Sequence, residues 1–86
     1  MYLHLGQDTV ISTENILGIF DMDTSTISKS TRNYLSLAEK NKRVVNVSSE
    51  LPKSFIVCVE NGETTVYISQ ISSQTLQKRM AQKKDW

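Results

Sequence analysis

The chain is poor in the residues that build catalytic centres and rigid scaffolds. Its 86 positions hold one cysteine, one histidine, one proline and three glycines. A single thiol, Cys58, cannot close a disulfide within the chain, which removes the stapled secreted scaffold from consideration. One His and one Cys cannot complete a zinc site without carboxylates or another chain. Glycines at 6, 18 and 62 are too scattered to form a phosphate-cradling loop. Nowhere do ~18 apolar residues run together, so no membrane-spanning helix is expected. The opening Met1-Tyr2-Leu3-His4-Leu5-Gly6 has neither the basic segment nor the apolar run of a signal peptide. A cytoplasmic protein is the expectation.

The chemistry that remains is sparse. His4 could act as a base beside Asp8 or Glu14, but no paired nucleophile is evident, and a strand histidine is the plainer reading. Cys58 falls in the apolar run Phe55–Val59, where it reads as a small buried hydrophobe rather than a reactive thiolate. Asp21 and Asp23 lack the ligand series of a calcium loop and suit capping of the helix that follows. The sequence therefore reads as a non-enzyme with no cofactor, metal or small-molecule substrate. Its work is binding and assembly.

A single domain of this length buries only about 60–65% of the surface its unfolded chain exposes. Self-association is a common remedy for so thin a core, and a homo-oligomer is expected. The net charge is only +1, yet it is segregated. Residues 1–28 carry Asp8, Glu14, Asp21 and Asp23 with no Lys or Arg. Residues 29–43 carry Lys29, Arg32, Lys40, Lys42 and Arg43 against Glu39, and the stretch from Gln70 carries Lys78, Arg79, Lys83 and Lys84 against Asp85. Such polarity suits a polyanion partner or head-to-tail contact between identical subunits, and it also suits an ordinary solvated surface.

Periodicity predicts β-β-β-α-β-β-β-α. Tyr2–Leu5 and Thr9–Ser12 flank a turn at Gly6-Gln7-Asp8, and the apolar run Ile16–Phe20 is broken by Gly18, a candidate bulge. Ile27, Thr31, Tyr34, Leu35 and Ala38 form one stripe of a helix over about 25–41. Val44, Val45 and Val47 read as a strand, and Pro52 precedes the next one. Asn61-Gly62 between Phe55–Glu60 and Glu63–Ile68 is a strong hairpin signal. Ser72 or Ser73 can cap a last short helix with Leu76 and Met80 on its inner side. The fold class is α+β: a small antiparallel or mixed sheet of five to six strands, with the longer and the shorter helix packed on one face. Residues 1–80 form the domain and 81–86, ending in Trp86, a frayed basic tail.

The segments Met1–Gly6, Ile11–Thr13, Gly18–Asp21, Pro52–Val57 and Tyr67–Ser69, with Ile71–Arg79, carry a resemblance in their order and spacing. On them the chain resembles the RemA/RemB family of small bacterial extracellular-matrix (biofilm) gene regulators, the RemB branch more closely. The resemblance implies a cytoplasmic, ring-forming homo-oligomer that binds double-stranded DNA and regulates transcription of matrix genes. The RemA branch carries arginine after the strand matching Val10–Thr13 and in the loop before the strand matching Phe55–Val59. Here those places hold Asn15 and the loop Ser48–Lys53, in which only Lys53 is positive and Glu50 is negative. Lys53, Lys42, Arg43 and Asn15 are the resulting candidate nucleic-acid site. Lys42 and Arg43 join it if the strand they precede lies near Phe55–Val59. Lys78, Arg79, Lys83 and Lys84 form the alternative basic patch. A ring component that acts through protein contacts, without useful DNA affinity, is the competing reading.

Overall fold

The computed structural model describes residues 1–22 and 28–81. Among these residues six strands form a two-stranded and a four-stranded sheet, joined by two helices and a 3-10 turn over Thr13–Asn15. β1 (Tyr2–Gly6) and β2 (Thr9–Ser12) make the first hairpin, whose tight turn uses positive φ at Gly6 and Gln7. β3 (Ile16–Asp21), β4 (Val44–Asn46), β5 (Ser54–Glu60) and β6 (Glu63–Ser69) form the larger sheet in the order β3-β5-β6-β4. Its pairs are antiparallel except β4–β6, which is parallel.

Local chemistry explains most of the boundaries. Asn61 and Gly62 sit at φ 54° and 80°, as a type I′ turn between two β-prone runs demands. The register of β3 slips between Ile16 and Gly18, the expected bulge. A Cβ at Gly18 would stand 2.6 Å from the Phe20 ring, so glycine keeps that approach open. α1 spans Lys29–Lys40, and its cap is Ser28, whose hydroxyl accepts the Thr31 N–H at 3.1 Å. The hydroxyl cap of α1 is thus Ser28 rather than the expected Asp21, which ends β3 opposite Ser54. Asp23 and Ile27 lie outside the described residues. α2 spans Ser73–Ala81, capped by Ser72, with Leu76 buried and Met80 half-buried as expected. Of the expected tail, 81–86, Ala81 is the last residue of α2, and 82–86 lie outside the described residues.

The helices lie on opposite faces of the larger sheet, not on one. The reason is β5, whose Ser54–Cys58 stretch is buried at every position, so both of its faces need cover. On one face Ile56 and Cys58 meet Leu3, Leu5 and Ile11 of the first hairpin and Leu76 of α2. On the other, Phe55, Val57 and Val66 meet Ala38 of α1, with Leu35 and Phe20 alongside. Thr31, Leu35 and Ala38 follow the expected inward stripe of α1, whereas Tyr34 remains exposed.

Candidate nucleic-acid interface

The sheet order decides which candidate cations can meet. β4 pairs with β6 and not with β5, and in parallel, so its start lies beside the middle of β6. Ile16, Cys58 and Thr65 form one row across the sheet, and Arg43 lies beside Thr65. Lys53 precedes the row Asp21–Ser54–Ser69, four residues further along β6 and so about 13 Å along the strands. Lys53 thus stands at one end of the sheet, while Asn15, Lys42 and Arg43 stand at the other. The single rim of Lys42, Arg43 and Lys53 does not form within one subunit.

Each of these residues is held differently. Lys53 is pinned by its backbone: its N–H donates to the Ser69 carbonyl at 2.8 Å and its carbonyl accepts from Met22 N–H at 2.9 Å, while its side chain is exposed. Lys42 takes φ 58° where the chain leaves α1, and its side chain is exposed. Arg43 is half-buried. Its Nε donates to Thr65 Oγ1 at 3.1 Å, and Nη1 lies 3.6 Å from Glu63 Oε1. Asn15 Nδ2 donates to Glu60 Oε1 at 3.3 Å. The two carboxylates that flank the Asn61-Gly62 turn therefore hold the arginine and the asparagine from opposite sides of the hairpin. Sequence reasoning passed over Glu60, Glu63 and Thr65; the signal was a Glu on each side of the turn dipeptide.

Beside Asn15, a cleft of about 340 Å³ opens between the first hairpin and the larger sheet, lined by Tyr2, Ser12, Asn15, Cys58, Glu60 and Tyr67 among others. Burial, and then the Glu60 charge, push the Cys58 thiol up to about 11, so it stays protonated at neutral pH. Burial, followed by the charges of Cys58 and Glu60, also raises Tyr67, with Arg43 opposing. His4 is exposed and bonds through Nε2 to the Gln7 carbonyl at 2.7 Å, bracing the first turn.

In the alternative patch, Lys78 and Arg79 are exposed on α2, and Arg79 Nη1 donates to the His4 carbonyl at 3.1 Å. Lys83 and Lys84 lie outside the described residues. Among the described residues no group of three or more His, Cys, Asp or Glu is placed to hold a metal ion. Nor is any helix there long and apolar enough to cross a membrane.

This small α+β chain with scattered surface cations is matched by a family model. Residues 2–80 match RemA-like, the extracellular matrix regulatory protein A-like family, and the chain belongs to it. It is 43% identical over 79 residues to extracellular matrix regulatory protein B of Bacillus subtilis (strain 168), covering 92% of this chain and 89% of that protein.

Proposed function

We propose that this protein is a cytoplasmic, oligomeric, DNA-binding regulator of extracellular-matrix genes. Family membership across residues 2–80 supports this reading, because both the family and the Bacillus subtilis relative are named as matrix regulatory proteins. Affinity comes from phosphate neutralisation by the exposed Lys53 at one end of the sheet and by the exposed Lys42 with the half-buried Arg43 at the other. A few cations per subunit bind weakly, and repetition around an assembly raises the effective concentration of the next contact.

The test is duplex binding across a salt series. Log affinity should fall linearly with log salt, and Lys53→Glu should weaken binding and flatten that slope on any sequence. Equal losses for Lys78→Glu with none for Lys53→Glu would move the contact to α2. A second reading, an assembly component that acts through protein contacts alone, is favoured by the engagement of Arg43 with Glu63 and of Asn15 with Glu60. It takes over if no salt-sensitive binding is seen.

A further inference from the structure

β5 and β6 are flanked on both sides, whereas β3 and β4 have a partner strand on one side only among the described residues. The two edges are matched in direction. β3 is antiparallel to β5, β5 to β6, and β6 is parallel to β4, so β3 and β4 run the same way.

They are also matched in hydrogen-bond phase. Met22 N–H bonds the Lys53 carbonyl directly across from it, so amides along β3 alternate from there. Phe20 faces β5, and Ile19 turns its N–H and C=O outward. In β4, the Arg43 carbonyl and the Val47 N–H bond β6, so Val45 faces β6 while Val44 and Asn46 face outward. A parallel pair needs one residue whose N–H and C=O are held by the two residues flanking its partner. Ile19 set between Val44 and Asn46 meets that requirement, with Val45 opposite it. Ile19, Ile56, Tyr67 and Val45 already lie in one row of the sheet, so two copies would meet without stagger.

Side chains agree with the backbone. Leu17 on one edge is 55% exposed and Val45 on the other is 39% exposed. Neither Ile16–Phe20 nor Val44–Asn46 contains the Lys or Pro that blunts a free edge. Exposed Glu14 precedes β3 at the sheet end where exposed Lys42 precedes β4, so an unstaggered pairing brings opposite charges together.

We propose that copies of this chain join head to tail by backbone pairing of β3 in one with β4 in the next, Ile19 opposite Val45. This deepens the self-assembly reading above and rests on it. The contact uses two different surfaces of the same chain, so its rotation determines whether copies close into a ring or run on as a filament.

Asn46→Pro is the decisive variant. It removes an N–H that a single chain directs outward, so the isolated fold loses no hydrogen bond while the contact loses its bond to the Ile19 carbonyl. Light scattering should show the parent's multimeric mass falling to that of one chain, with an unchanged circular dichroism spectrum. Glu14→Lys should weaken assembly at low salt, and adding Lys42→Glu should restore it. A folded Asn46→Pro protein at the parental mass overturns the pairing while leaving self-assembly standing; a monomeric parent overturns both. Should Asn46→Pro fail to fold, Leu17→Lys combined with Val45→Lys, both exposed positions, decides on the same mass criterion.

Discussion

The two faces of the larger sheet are covered in different ways. The face under the first hairpin and α2 is closed at its centre, where Leu5, Ile56 and Leu76 are fully inaccessible. It is also latched by polar bonds. Ser69 Oγ donates to the Leu5 carbonyl at 2.6 Å and accepts the Ile71 N–H, and Ser54 Oγ donates to the Ile71 carbonyl at 2.7 Å. The face under α1 is mainly hydrocarbon, built around the Phe20–Phe55 stack with centroids 5.1 Å apart. Among the described residues each face keeps a cleft of about 340 Å³, this one lined by Met22, Leu35, Val44 and Phe55 among others and the other by Ser12, Cys58 and Tyr67 among others. The contrast therefore lies in the buried centre and its polar bonds. Among the described residues, two layers of cover with buried hydroxyl bonds fix position on one face, while one helix on mainly hydrocarbon fixes only burial on the other. The closed face should therefore hold most of the stability.

The largest test of that contrast is a matched pair of truncations. Leu76→Ala on the closed face should cost about 4 kcal/mol, since it removes a fully buried side chain and leaves a cavity. Leu35→Ala on the α1 face should cost about 1–2 kcal/mol, because that side chain is already partly wet. Urea denaturation midpoints measure both, and equal losses would break the comparison.

Ser69→Ala comes next. It leaves the Leu5 carbonyl and the Ile71 N–H without this partner, and about 2 kcal/mol should be lost. A midpoint unchanged by this substitution would mean that the latches do not distinguish the two faces.

The smallest effect is in pH. Cys58 lies on the closed face with its pKa raised from 9.0 to about 11, and Tyr67 shifts the same way. The folded chain keeps protons that the unfolded chain releases, so this stability is complete below pH 9 and is lost as pH rises toward 11. Thermal melting should show the decline in that window. Cys58→Ala should blunt it without abolishing it, because Tyr67 remains.

Much of the fold was legible in the sequence because its signals are local. The Asn61-Gly62 turn, the Gly18 bulge, the Ser72 cap and the Leu76–Met80 pair depend on residues only a few positions apart. The Tyr34 expectation missed because the stripe on α1 is narrower than helical spacing implied. The candidate site was legible as residue types but not as a place. Lys53, Lys42, Arg43 and Asn15 were singled out as candidates by charge and resemblance, and nothing local shows that Glu60 and Glu63 would engage two of them.

The sequence by itself determined the elements, the two hairpin turns, the fold class and the family, since backbone propensity and short-range pattern carry those. Only the tertiary structure decided that the helices lie on opposite faces, that β4 pairs with β6, and that Lys53 is parted from Arg43. Those outcomes depend on which surfaces β5 must bury and on which edge a short parallel strand can reach. Such choices compare free energies between distant segments, and no window of neighbouring residues contains that comparison.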